Sequence, residues 1–435
     1  MSSVNKISFL IIFLLLIGLF SCKKEKDGRG PLISINNPII NQSFNVFDYI
    51  LVNASVSDET QLTSVSVCLM DANQSYAHIS VPVAVSSPSM TFNLQYLLDN
   101  IHLETGIYYI KISATDGENN SNVFQKIYLI ETPKQLKKIF LLSKITSSQT
   151  NLSSIDSTFS SIIPFHSFSG DHLSSSISSY YQQAFICGNF SGNFTGHTLL
   201  YNSPKFTVAP IISTNPYFTG YFNTDRYSYV CRYAGSIFGY DYSGSVFYSA
   251  NAIAGYYAKS ICFNEGYLIA EEKEIFSTTK KLVTYFPNGS QEKSCIMTQD
   301  VVEFCEKNSS NVFVFGNIGG QATIQLFDRI NNNLWSPYPF PLASGSLSCV
   351  LQLDSDTYLL GHSNGIIYKY QYSINSVTSY LSGYTALKMK LDRVNNRLYV
   401  VEANRVSSFD YSSLALVNSI NSTETILDLH FLYNR

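Results

Sequence analysis

Residues 386–421 read ALKMKLDRVNNRLYVVEANRVSSFDYSSLALVNSIN. Leu387, Met389 and Leu391 alternate with Lys388 and Lys390, the period of a half-buried strand. Asp392 to Asn396 supplies turn formers whose side chains bond their own backbone. Leu398 to Val401 is aromatic and β-branched, which fits a strand buried on both faces. Asn404 tolerates the positive φ of a tight turn. Val406 to Tyr411 predicts a third strand and Ala415 to Ile420 a fourth. Four antiparallel strands in roughly forty residues form the unit of a repeating β architecture.

Degraded copies run upstream. Residues 347–380 contain SCVLQL, TYLLGH, GIIYKYQY and SVTSYL, and 301–338 contain VVEFCE, NVFVFG, ATIQLFD and NLWSPY. Residues 258–297 contain AKSICF, YLIAEE, KLVTYF and KSCIM, and 217–250 contain YFTGYF, YSYVCR, SIFGYD and VFYSA. A weak first strand precedes AFICG, HTLLY and FTVAPII in 177–212. Residues 137–165 supply KIFLLS, NLSSID and SIIPF without a first strand, while ILDLHFLY at 426–433 has nothing after it to pair with. Joining the two ends in one blade closes a ring and leaves no open edge, which predicts a seven-bladed β-propeller over 134–435. A second marker agrees. The third strand ends in an apolar residue followed by Asp at Asp156, Asp241, Asp328 and Asp410, about two repeats apart each time.

The chain has 435 residues, enough for two or three domains. Aromatic residues make up 14%, with 31 Tyr and 29 Phe, and charged residues only 14%, which suits an all-β protein. A net charge of -3 provides no basic field for nucleic acid or an acidic membrane surface.

Lys6 precedes an apolar run from Ile7 to Phe20, too short to span a bilayer comfortably. It ends Leu19-Phe20-Ser21-Cys22, which resembles the lipobox of bacterial lipoproteins, although Phe20 is bulkier than usual there. That resemblance implies a signal peptide over 1–21 and lipid on Cys22. An ordinary secretory signal or an uncleaved anchor is the alternative. Residues 22–30 are charged and Gly-containing, a flexible tether. The Cys-Lys-Lys start and the high Asn, Ser and Tyr content look like Bacteroidetes-type envelope lipoproteins. This implies an outer-membrane location and leaves the periplasmic or surface orientation open, because Glu25 and Asp27 are interleaved with lysines.

Residues 31–133 show no repeat. About seven candidate strands suit a β-sandwich. Val52 to Asp58, then Leu62 to Val67, Gly106 to Tyr108 and Ile112 to Asp116 resemble immunoglobulin-like and cadherin-like modules of bacterial surface proteins. Tyr108 suits a buried tyrosine bonding backbone near a strand corner. Asp58 and Asp116 read as turn residues, with calcium as the alternative. Pro133 ends the module.

Chemistry is harder to find. Cys187, Cys231, Cys262, Cys305 and Cys349 fall mid-strand, one per blade, which predicts buried thiols, and no CxxC points to zinc. There is one Trp, so the Trp-docking motif of quinone-dependent dehydrogenases cannot repeat, and no sialidase SxDxGxTW box occurs. The general resemblance is to divergent propellers of the YVTN and quinoprotein-like type without the cofactor residues. Glu265, Asp354, Asp356 and Asp392 fall in turns on one predicted face, a solvated acidic rim. His197 and His362 read as structural histidines. Aromatic faces stack on sugars and anchor interfaces, which singles out Tyr217, Tyr256 and Tyr257 at loop tips as ligand contacts.

The expectation is an all-β, lipid-anchored envelope protein: an immunoglobulin-like sandwich (31–133) followed by a seven-bladed propeller (134–435). It predicts a non-catalytic binding or scaffolding role toward an envelope protein or glycan, without cofactor, metal or nucleic acid. The competing reading is a propeller enzyme acting on glycan or another extracellular polymer. Oligomeric state is not set by the sequence.

Overall fold

A computed structural model describes residues 28–156, 158–337 and 344–435. The signal segment 1–21 and Cys22 lie outside the described residues. Those residues form strands and turns with no helix, in two compact units that meet between Pro133 and Lys134.

The first unit is two packed sheets. One has three strands, Leu32–Asn37, Tyr49–Ser57 and Ser89–Leu97; the other has five, in the order Gln42–Asn45, Asn120–Ile130, Gly106–Thr115, Ser64–Met70 and Val81–Val83. Period-two alternation sends Ile50, Val52, Ala54 and Val56 inward from one sheet, and Val65, Val67, Leu69, Ile110 and Ile112 from the other, into one shared core. Gln42–Asn45, which pairs in parallel with Asn120–Ile130, is too short and polar for the sequence pattern to signal.

The fully buried tyrosine of this core is Tyr96 rather than Tyr108. The Tyr96 hydroxyl donates to the Ile79 carbonyl at 2.6 Å and accepts from the Leu69 N–H at 3.1 Å. Tyr108 is half-buried, and its hydroxyl accepts from the Glu104 N–H at 3.2 Å. Asp58 and Asp116 are turn residues: Asp58 Oδ1 accepts from the Thr60 and Gln61 N–H groups, and Asp116 Oδ1 from those of Glu118 and Asn119.

The second unit contains seven four-stranded antiparallel sheets, numbered here one to seven along the chain. Sheet one takes Leu136–Thr146, Gln149–Ile155 and Ile162–Ser169 from its start and Thr425–Tyr433 from its end. Sheets two to seven span 174–208, 218–251, 256–297, 300–335, 347–382 and 388–421. Buried side chains of this unit gather in seven clusters, each joining two successive sheets. The last joins sheet seven to sheet one through Tyr399, Val401, Ile426 and Leu429. The sheets therefore form a closed cycle, a propeller-like all-β fold.

Aromatic side chains carry several seams. Between sheets five and six, Phe313 and Phe315 each lie 5.0 Å from Tyr358. Each such buried ring contributes about 1.5–3 kcal/mol from burial. The Asp that follows the third strand is a turn clamp. Asp241 Oδ1 accepts from the Ser243 and Ser245 N–H groups at 2.8 and 2.9 Å, and Asp156, Asp328 and Asp410 hold equivalent turns. One strand differs from the sequence reading. The third strand of sheet two is Phe194–Thr198, which starts three residues before HTLLY and ends within it, and Leu200 and Tyr201 sit exposed in the following turn. Gly196 permits this register, since a Cβ there would meet Gln183 and Phe206.

Candidate functional site

The innermost strand of each sheet touches that of the next, from Ser174–Ser178 round to Thr425–Tyr433. In five of them one extra residue breaks the pairing: after Phe218, Ala258, Val301, Leu347 and Ile426. Such bulges re-aim side chains. Thr219 and Ser348, the extra residues of two bulges, donate to the Ala258 and Ala386 carbonyls of the following sheets, both at 2.6 Å. Glu303 and Asp428 are the residues directly after two other bulges, and Lys388 opens the inner strand of sheet seven.

These three residues, with Lys390, His172 and His430, form a mixed-charge group at the centre of the cycle. Glu303 and Lys388 both line a cavity of about 250 Å³, together with Ser174, Tyr221, Lys259 and Ser260. The Glu303 side chain is open to water in this space but ringed by protein. Burial therefore pushes its carboxyl above the usual range, against the pull of Lys388 and Lys390. Burial works against the charge on Lys388, yet Asp428, Glu303 and Cys349 outweigh it and raise the ammonium's pKa.

Asp428 is 4% exposed. Burial pushes its carboxyl up, but His430, Lys390 and Lys388 overcome this and hold it at about 2. His430 Nε2 lies 3.5 Å from Asp428 Oδ2 and 3.0 Å from Ser175 Oγ, and burial lowers its imidazole to about 4. His172 is likewise lowered to about 4 by burial, and its Nε2 has no hydrogen-bond partner.

Of the tyrosines singled out by sequence, the fold brings two together. Tyr217 and Tyr257 flank Tyr233: the Tyr233 N–H donates to the Tyr217 carbonyl at 3.1 Å, and the Tyr233 and Tyr257 rings are 5.0 Å apart. The Arg232 guanidinium lies 5.3 Å from the Tyr217 ring and 4.6 Å from that of Phe238. Tyr256 points to the other face of its strand, under Lys281 Nζ at 4.8 Å. All three are half-buried.

The acidic rim divides. Asp354 caps its own turn, but Asp392 is fully buried and accepts from the Val394 N–H and the Tyr433 hydroxyl, so it is no solvated carboxylate. His197 bonds Asn202 Oδ1 at 2.8 Å and stacks on His166 with ring centres 4.1 Å apart. His362 is fully buried, and its Nδ1 accepts from the Asn364 N–H while Nε2 has no partner. The cysteines of the described residues are free thiols, buried except half-buried Cys295. Among the described residues no group of three or more His, Cys, Asp or Glu is placed to hold a metal ion.

The channel charges were hidden in the sequence because Lys388 and Lys390 read as the wet side of an ordinary strand. The one signal was VVEFCE, an acidic residue inside an otherwise apolar inner strand.

No family model and no curated protein matches the chain. Among solved structures, the computationally designed Ika8 protein has a TM-score of 0.48 at 9% identity, covering 68% of this chain and 87% of that one. A quinonprotein alcohol dehydrogenase-like protein from Bacteroides thetaiotaomicron has a TM-score of 0.47 at 11% identity, covering 94% of this chain and 100% of that one. At this identity and score neither likeness carries an activity over to this chain.

Proposed function

We propose that this chain is a lipid-anchored envelope protein, held by Cys22, whose second unit is a seven-bladed β-propeller that binds a protein or glycan ligand without catalysis. The first unit is an immunoglobulin-like stalk on this reading. The seven sheets, their seven seams and the strand shared between the two ends of the second unit support the blade count. The lipobox resemblance supports the anchor and an outer-membrane location, with orientation open.

The observation that carries the binding role is the Tyr217, Tyr233, Tyr257 and Arg232 cluster. It sets half-buried aromatic faces and a guanidinium side by side, the composition that dominates interface hot spots and sugar stacking. The test is an affinity capture with the full chain immobilised, probed with solubilised envelope proteins and a glycan array. A stoichiometric partner or glycan lost on Tyr257→Ala supports the role. Capture unaffected by Tyr257→Ala and Arg232→Ala overturns this site.

A second reading, an enzyme acting on glycan, draws on Glu303 and Asp428. Their carboxyls are pushed in opposite directions, and the Asp428 charge adds to the rise at Glu303, the pattern of an acid and base pair. Product formation from an array-positive glycan, abolished by Glu303→Gln, would favour it over binding alone.

A further inference from the structure

We infer that the cavity at the centre of the sheet cycle is a binding site for a small zwitterion, a molecule of amino-acid size bearing one carboxylate and one ammonium group. The inference is independent of the tyrosine cluster and goes beyond it.

Size comes first. About 250 Å³ equals the share of about eight waters at ~30 Å³ each, below the range of drug-sized pockets. A polymer segment does not fit; a small metabolite does.

Charge comes next. Glu303 and Lys388 face the same cavity with opposite signs, yet no ion pair or hydrogen bond joins them within 4.0 Å. Glu303 is fixed on the inner strand of sheet five and Lys388 on that of sheet seven, with the Leu347–Gln352 strand of sheet six between. Lys388 Nζ has no hydrogen-bond partner among the described residues, although each ammonium offers three donors. Lys259 lends a second cation to the same wall, already spending one contact on Asp300 at 3.3 Å. Ser174 and Ser260 add hydroxyls.

This arrangement selects by sign. A simple anion satisfies Lys388 but meets Glu303, and a simple cation satisfies Glu303 but meets Lys388 and Lys259. A dipolar ligand satisfies both walls, its carboxylate on Lys388 and its ammonium on Glu303, through charge-assisted hydrogen bonds. A neutral sugar brings no charge to either wall and gains none of these charge-assisted bonds.

The experiment is calorimetric titration of the full chain in detergent with glycine, L-alanine, L-serine and β-alanine. Acetate, ethylammonium and glucose serve as single-charge and neutral probes. The expected result is saturable one-to-one binding of at least one zwitterion, at least tenfold tighter than acetate or ethylammonium. Lys388→Met and Glu303→Gln each weaken it by about tenfold or more, while Phe276→Ala, at an exposed turn of sheet four, leaves it unchanged. Thermal melts of the variants identify any that fail to fold, and Ser260→Ala, a milder change on the same wall, then stands in with a smaller loss of affinity. Equal binding of acetate or ethylammonium, binding of glucose alone, or no binding of any zwitterion up to about 10 mM overturns the inference.

Discussion

The two units bury their apolar side chains in different ways. The first has one core, filled from both sheets, in which Ile50, Val67, Phe92 and Ile110 all share neighbours. The second has seven seams, each shared by only two sheets. One core makes every large side chain everyone's concern. A cycle of seams confines most losses to two sheets but makes closure itself indispensable. The teaching is that similar strands yield two kinds of cooperativity, set by how the sheets are joined rather than by what they contain.

The largest expected effect tests closure. Removing Thr425–Arg435 deletes the strand that contributes Ile426, Leu429 and Leu432 to two seams and leaves Leu136–Thr146 as an open edge. The expected loss is on the order of 5–10 kcal/mol, as large as the whole stability of an ordinary domain. Calorimetry should show the second unit's transition vanish while the first unit's survives. A truncated chain that still melts cooperatively in both transitions removes closure as the controlling feature.

The next test sets one truncation in each unit side by side. Ile110→Ala and Leu429→Ala each cost about 2–5 kcal/mol. Hydrogen exchange should then report Ile110→Ala across both sheets of the first unit. It should confine Leu429→Ala to sheets one and seven, with sheets three to five still protected. Equal loss in all seven sheets would make the seams one core after all.

Acid sharpens the comparison further. His172 and His430 take a proton near 6.5 when unfolded but only near 4 in the fold. The folded state binds fewer protons across that window, so stability is fully present above pH 6.5 and is lost as pH falls through about 4. Asp428 adds a further loss as pH falls from 3.8 to about 2, while Glu303, with its raised pKa, works in the opposite sense. The second unit's melting temperature should drop on acidification between pH 6.5 and 4, by the equivalent of a few kcal/mol, and His430→Gln should flatten that slope. A slope unchanged in His430→Gln assigns it to other groups.

The smallest effect concerns a turn. Asp241→Ala removes the acceptor for two backbone N–H groups at an exposed site, worth under about 1 kcal/mol after solvent screening. It should lower the melting temperature slightly and loosen only the turn between the third and fourth strands of sheet three. Asp241→Asn, which keeps an acceptor, should restore most of it.

Much of this architecture was legible because strands and turns leave local marks. The Asp after the third strand is visible in sequence since its carboxylate must hold the next turn, and the unpaired ILDLHFLY segment signals its distant partner by having no near one. The centre of the cycle was not legible. Alternation in ALKMKLD shows that Lys388 and Lys390 share a side, and Met389 the other, but not that Lys388 lines a cavity together with Glu303. Glu303 and Asp428 follow bulges, and a bulge shifts register without a reliable residue signature. Asp392 failed for the complementary reason. It looks like any turn Asp until the Tyr433 hydroxyl, from the far end of the chain, covers it.

The strand Thr425–Tyr433 also has a meaning in time. Its partner, Leu136–Thr146, is made almost three hundred residues earlier and waits through the whole of that synthesis with one edge bare. Long-range pairing of this kind is slow to form and leaves edges open to other chains while it waits. A chain interrupted anywhere before its last turn of synthesis cannot complete the cycle and still shows that edge. The closing strand thus sets when that edge is covered: until it is made, the edge stays open to pairing with other chains.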